Sequence, residues 1–210
     1  MSTATAAQPA LAPQPVSVKT PPVGSRERKP ISWEHFQRRY LRREDGFKYE
    51  WGNGLVVKSK RSMDKTQLYI LENLLLHFDQ LKVKGKVSGR LIPEPDLFFL
   101  AQHRRPDIAW LTTQQIYALA DPAAYEVPAF LIEVISSNDY ANLVKKKMVN
   151  YCDAGVQVVW HIYPGLKEVE AYAGPKLSTM TVCSGEKICS AAPVLPDFQI
   201  SVNAIFDKPL

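Results

Sequence analysis

Cysteine is scarce in this sequence. The three cysteines, at positions 152, 183 and 189, are an odd number, and no two of them have the C-x-x-C spacing. A disulfide framework and a structural zinc site are therefore not expected. A reducing compartment, the cytoplasm, is the simplest setting for such a chain.

Long apolar runs are missing as well. No stretch of about 18 consecutive apolar residues occurs, so we expect no transmembrane helix. The N-terminal segment lacks a basic start followed by an apolar run, which predicts that it is not a signal peptide. The sequence therefore predicts no association with a membrane.

The chain has no excess of acidic residues. With 26 Lys and Arg against 21 Asp and Glu, its formal charge is +5 and its pI is about 9.0. This balance favours an acidic partner such as nucleic acid, although many enzymes without such a partner are equally basic. The apolar fraction of 46% is that of an ordinary globular protein.

Two regions differ in composition. Residues 1–30 carry six of the 16 prolines and no aromatic residue, which predicts a disordered arm. Its basic end is compatible with a solubilising tail or with a phosphate contact. Residues 31–210 contain the periodic apolar patterns of a single folded domain without internal repeats.

The order of predicted elements indicates a mixed α/β domain. Ser32 is typical of an N-cap for a helix ending near residue 41, and Asn53-Gly54 between strand-like runs predicts a hairpin. Further helices are predicted at 64–80, 114–119 and 140–153, and strands at 96–100, 107–111, 130–135, 158–163, 169–172 and 179–182.

A carboxylate interrupts one of these apolar strands. Glu133 lies within Phe130–Ile135, a stretch that is expected to be buried on both faces. A buried carboxylate needs a cationic partner, a proton or a metal ion. From this segment alone, a structural salt bridge and a metal site remain equally open.

A second carboxylate opens the preceding strand. Asp107 follows Pro106, and in isolation this pattern is common at turns. If its strand neighbours that of Glu133, the two acids form a pair of hard oxygen ligands. Such a pair is how proteins hold Mg²⁺ beside a phosphate.

One lysine is placed unusually on the helix at 140–153. At about 100° per residue, Lys147 falls within the apolar stripe, whereas Lys145 and Lys146 point away from it. Glu133, on the strand leading into this helix, is its expected anion. The alternative is a lysine whose ammonium group extends to water.

These motifs resemble the PD-(D/E)XK nuclease superfamily, in which Pro-Asp precedes Asp/Glu-x-Lys on the next strand. Pro106-Asp107 and Glu133 match, but Ile135 stands where the lysine is expected. One branch carries this lysine on the following helix, and the run 128–164 is similar to that branch, the Uma-type restriction-endonuclease-like family of bacteria.

The resemblance extends over about residues 31–207. Its pattern is met by Glu133-Val134, Ser136, Asp139, Lys147, Tyr151, Gly155-Val156 and Trp160, with Tyr49-Glu50-Trp51 upstream and Leu195-Pro196 downstream. The chain departs from it at Ser137 and Tyr163, where many members have Pro and Asp, and it lacks a His near Thr66.

The resemblance implies a restriction-endonuclease-like core, with a mixed central β-sheet flanked by helices and preceded by a helix and a hairpin. It implies that Asp107, Glu133 and the backbone carbonyl of Val134 bind Mg²⁺ or Mn²⁺, and that Lys147 serves catalysis. Glu50 is either an additional catalytic residue or an exposed strand residue paired with Lys48 or Lys58.

The implied function is a metal-dependent endonuclease that hydrolyses phosphodiester bonds in DNA. Cutting both strands of a duplex with one site per chain is compatible with a homodimer. Two alternatives remain open: a catalytically silent nucleic-acid-binding or regulatory module, and an interaction protein in which Asp107, Glu133 and Lys147 form a structural triad.

Overall fold

A computed structural model of the chain describes residues 29–60, 65–121, 124–136 and 141–208. The predicted arm lies almost wholly outside these residues, so its disorder stays a prediction. The residues just before the helix that carries Lys147, including Ser137 and Asp139, also lie outside the described residues.

The domain contains both helices and strands, as predicted. The helices are α1 (Trp33–Phe36, continued by a π-helical turn Gln37–Leu41), α2 (Lys65–Val83), α3 (Thr113–Ala118), α4 (Ala141–Ala154) and α5 (Val202–Phe206). The strands are β1 (Phe47–Gly52), β2 (Leu55–Lys60), β3 (Arg90–Pro93), β4 (Leu97–Phe99), β5 (Gln102–Arg104), β6 (Ile108–Leu111), β7 (Phe130–Val134), β8 (Val158–Tyr163), β9 (Glu168–Ala173), β10 (Thr179–Ser184), β11 (Ile188–Ala191) and β12 (Leu195–Ser201).

A six-stranded mixed sheet forms the centre, in the order β10-β9-β8-β7-β6-β3. Only its β7–β8 pair is parallel, because α4 crosses over between these two strands, while its other pairs are antiparallel. Strand β7 is buried on both faces, as its apolar sequence predicts. This confirms the mixed sheet flanked by helices.

Two apolar layers cover the faces of the central sheet. On one face, Leu74 of α2 packs in the same cluster as Ile132 and Phe198. On the other face, Tyr151 of α4 packs with Leu131 and with residues of β4. The face covered by α4 is the one that carries the charged residues discussed below.

A smaller sheet holds the predicted hairpin. Its order is β2-β1-β5-β4, so β1 lies between two neighbours rather than at an edge. The first helix packs on it through Phe36, and Ser32 caps that helix by accepting a hydrogen bond from the backbone N–H of His35 at 3.2 Å. The predicted N-cap and hairpin are both confirmed.

Several elements differ from the sequence-based expectation. The basic segment 82–90 follows the predicted helix 64–80, and it begins with the end of α2 and ends with the first residue of β3. Strands β3, β5, β11 and β12 and helix α5 were not predicted. Within the described residues, no helix has the length and apolar character needed to cross a membrane.

Candidate active site

Two carboxylates lie on one face of the central sheet, Glu133 within β7 and Asp107 directly before β6. The antiparallel register pairs Ile108 with Ile132, so the next residues along, Asp107 and Glu133, lie opposite each other on one face. The backbone N–H of Val134 donates to Asp107 Oδ2 at 2.7 Å. Glu133 is only 5% exposed, which makes its partners important.

Helix α4 supplies the cation that Glu133 requires. Lys147 Nζ donates to Glu133 Oε1 at 2.8 Å and lies 3.4 Å from Glu50 Oε2. Lys145 and Lys146 are exposed, as the helical spacing predicts. The alternative in which the ammonium group of Lys147 extends to water is therefore wrong.

The hairpin contributes Glu50, whose side chain is buried rather than exposed. Its Oε1 accepts a hydrogen bond from the backbone N–H of Arg105 at 2.8 Å. The ion pair of Glu50 is with Lys147 rather than with Lys48 or Lys58, the partners that one alternative assumed. The structure thus brings Glu50 together with Glu133 and Lys147.

Two further residues of the site were not assigned by sequence reasoning. Lys48 is buried, and its Nζ donates to Asp107 Oδ1 at 2.9 Å. The alternation of side chains along a strand puts Lys48 on the same face as Glu50, a signal that could have found it. Tyr151, one turn after Lys147 on α4, donates its hydroxyl to Glu133 Oε1 at 2.5 Å.

The charges stabilise one another despite burial. Burial disfavours the charged form of Lys147, but Glu133, Glu50 and Asp107 outweigh this and raise its pKa above the ordinary value. The pKa of Lys48 is raised in the same way, burial being outweighed chiefly by Asp107. Burial opposes ionisation of Glu50, yet the two lysines lower its pKa. At neutral pH, both lysines are therefore cations.

The residues present suit a hard divalent cation in their chemistry. Asp107 and Glu133 offer carboxylate oxygens, the ligands that Mg²⁺ and Mn²⁺ prefer. In this structure, lysine ammonium groups contact both carboxylates. Among residues that the structure describes, no three His, Cys, Asp or Glu side chains form a metal cluster.

Polar side chains continue from Glu133 across the central sheet, and the first of them is a histidine. The register places His161 of β8 between Glu133 of β7 and Glu170 of β9. Burial lowers the pKa of His161, although the neighbouring glutamates oppose this effect. Glu170 Oε2 accepts hydrogen bonds from Tyr163 at 2.9 Å and from Tyr172 at 2.7 Å. These polar side chains connect the candidate site to the hairpin formed by β9 and β10.

A solved structure has the same fold. The crystal structure of a putative nuclease belonging to DUF820 from Anabaena variabilis ATCC 29413 matches with a TM-score of 0.69 over 84% of this chain and 98% of that chain. Sequence identity is 17%, so this likeness defines the fold class, which is nuclease-like.

The family follows from the sequence itself. The model of the Uma2 family, described as "Putative restriction endonuclease", matches residues 33–203. The chain therefore belongs to the Uma2 family, as its motifs predict. No match was found among curated proteins.

Proposed function

We propose that this protein is a metal-dependent endonuclease that hydrolyses phosphodiester bonds in DNA. The observation that carries the proposal is the meeting of Asp107, Glu133 and Lys147 at one point of the sheet, with 2.8 Å between Lys147 Nζ and Glu133 Oε1. Membership of the Uma2 family supports a nucleic acid as the substrate.

Asp107 and Glu133 would hold Mg²⁺ or Mn²⁺, and the resemblance to the superfamily adds the backbone carbonyl of Val134. When bound, the ion neutralises charge on the scissile phosphate and lowers the pKa of a water molecule. The N–H of Val134, which donates to Asp107 at 2.7 Å, fixes the orientation of that carboxylate on the strand.

Lys147 acts as a cation in this proposal. Because its pKa is raised, the amine cannot accept a proton near neutral pH. It donates hydrogen bonds, which orients the attacking water and stabilises the negative charge that develops on the phosphate. Glu50 and Glu133 hold the ammonium group from two sides, so its position is set before the substrate arrives.

The surface offers basic side chains for the DNA backbone. The turn after α1 carries Arg38, Arg39, Arg42 and Arg43, which are exposed. The segment 82–90 is also rich in exposed lysine. Such groups bind phosphates without reading the base sequence.

One observation favours the catalytically silent alternative. Asp107, Glu133 and Glu50 each accept a hydrogen bond from a lysine or a backbone N–H, so groups of the protein itself compensate their charges. A binding or regulatory module of the same fold would retain DNA affinity in EDTA and show no cleavage in Mn²⁺.

The test is cleavage of supercoiled plasmid and of labelled single-stranded and duplex oligonucleotides in Mg²⁺, Mn²⁺ or EDTA. We expect metal-dependent nicking by the wild type and by Asp153→Asn, whose side chain is exposed on α4, and no nicking by Asp107→Asn. Equal activity of all three proteins would indicate a contaminant. No cleavage by any of them would contradict the proposal.

A further inference from the structure

The charged cluster of the site consists of Asp107, Glu133, Glu50, Lys48 and Lys147. Neither the family motif nor the proposed mechanism assigns a role to Lys48. Its side chain is 9% exposed, and its ammonium group enters the site from the hairpin. Both carboxylate oxygens of Asp107 are engaged, Oδ1 by Lys48 Nζ at 2.9 Å and Oδ2 by the N–H of Val134 at 2.7 Å. A cation that binds Asp107 therefore meets an ammonium group already in contact.

We propose that Lys48 is a built-in counterion of Asp107 that competes with the divalent cation for this carboxylate and so weakens metal binding by the free protein. The inference rests on the proposed function, because it presumes that Asp107 is a metal ligand.

Charge and burial support this competition. Asp107, Glu133 and Glu50 with Lys48 and Lys147 form a cluster of three carboxylates and two ammonium groups, and the buried Arg104 also acts on Glu50, so three cations already balance the three carboxylates. A divalent ion would add two positive charges to this balanced group and lie within a few ångströms of Lys48. The repulsion is poorly screened because the lysine is buried.

The sign of the effect separates this role from a purely structural one. If Lys48 only fastens the hairpin to the central sheet, its removal loosens the site and leaves metal affinity unchanged or reduced. If it is a competing cation, its removal frees Asp107 Oδ1 and increases metal affinity.

The experiment is a calorimetric titration of the full chain with Mn²⁺. We expect Lys48→Met and Lys48→Gln to bind Mn²⁺ about tenfold more tightly than the wild type. Lys48→Gln can still donate a hydrogen bond to Asp107, so it separates the effect of charge from that of the hydrogen bond. Lys58→Met is the matched control, since it removes one positive charge from an exposed position of the same hairpin, and its affinity should stay within about twofold of wild type.

Melting curves without metal establish that each variant is folded, and the rise in Tm caused by Mn²⁺ provides a second measure of affinity. If the wild type binds Mn²⁺ and both Lys48 variants bind it equally or less tightly, the inference is overturned while the proposed function stands. If none of the proteins binds Mn²⁺, the metal site itself is refuted and the inference falls with it.

Discussion

The lysines of α4 point in two directions, Lys147 toward the site and its neighbours toward solvent. Lys147 contacts two carboxylates, whereas the adjacent Lys146 is exposed. The two residues have the same chemistry and the same helix, and they differ only in the direction of their side chains. They therefore form a natural pair for testing what the site contributes.

We predict that Lys147→Met lowers the single-turnover rate of DNA cleavage by about two to three orders of magnitude, as expected when one preorganised charge at a transition state is lost. Lys146→Met should stay within about twofold of the wild-type rate. The assay compares the two variants on the same duplex oligonucleotide.

The stability of Lys147→Met must be measured alongside its activity. Removing the ammonium group leaves Glu133 and Glu50 buried beside each other, and breaking a buried ion pair costs about 3–5 kcal/mol. Circular dichroism at the assay temperature confirms that the variant is folded. A folded Lys147→Met protein with a wild-type rate would show that the lysine has only a structural role.

At the scale of elements, the hairpin β1–β2 is attached to the central sheet through charged contacts. Glu50 binds Lys147 and the N–H of Arg105, and Lys48 binds Asp107. These contacts position the site and make the attachment sensitive to acid.

We predict that Glu50→Gln loses less stability on acidification than the wild type does. The folded-state pKa of Glu50 is below its unfolded value, so the carboxylate stabilises the fold above about pH 4.3. That stabilisation is lost as the pH falls through the folded-state pKa. Urea unfolding at pH 7 and at about pH 3.5 should show a smaller difference for Glu50→Gln, while exposed Glu72→Gln should behave as wild type. Identical pH dependence in all three proteins would show that the Glu50 carboxylate does not stabilise the fold.

Strand β12 is an unpredicted element that holds the opposite face of the sheet. Its Phe198 is fully buried and stacks on Trp160, with ring centroids 5.6 Å apart. We predict that Phe198→Ala lowers the free energy of unfolding by about 3–5 kcal/mol because it leaves a cavity in this layer. Chemical denaturation measures the loss, and Ile188→Ala, at an exposed position of β11, should change stability by less than about 1 kcal/mol. Equal losses would show that β12 does not stabilise the core.

The sequence was most informative where the periodicity is regular. The Asn-Gly hairpin, the helix that carries Lys147 and the apolar strand around Glu133 were all predicted close to their observed bounds. Strand β12 was missed because Pro196 and Asp197 interrupt its pattern and a register shift occurs in its pairing with β11. Strand β5, of three residues, is too short to show a period.

The same limits apply to the site. Glu133 could be recognised because it interrupts an apolar strand, and Asp107 because it directly precedes another apolar strand. The partnership of Lys48 with Asp107 could not be predicted, since it joins residues of two different sheets, 59 positions apart in the chain. Contacts of this kind depend on how sheets pack, which local patterns do not encode.

At the scale of the whole molecule, the small sheet and the central sheet meet at the charged cluster. The small sheet contributes Lys48 and Glu50, the central sheet contributes Glu133, and helix α4 contributes Lys147, so the site requires both sheets and the helix. This arrangement is common where proteins place binding sites between packed units. Homodimerisation, and a role for the basic end of the N-terminal arm, remain predictions at this scale.

The most direct test of the central claim is the anomalous diffraction of crystals soaked in Mn²⁺. We predict an anomalous peak within about 2.0–2.3 Å of carboxylate oxygens of both Asp107 and Glu133, with Lys48 Nζ displaced from Asp107 Oδ1. The peak should vanish in Asp107→Asn and persist in Asp153→Asn. The proposed metal site would be contradicted by wild-type crystals that show no peak at Asp107 and Glu133 and in which both lysines still contact their carboxylates.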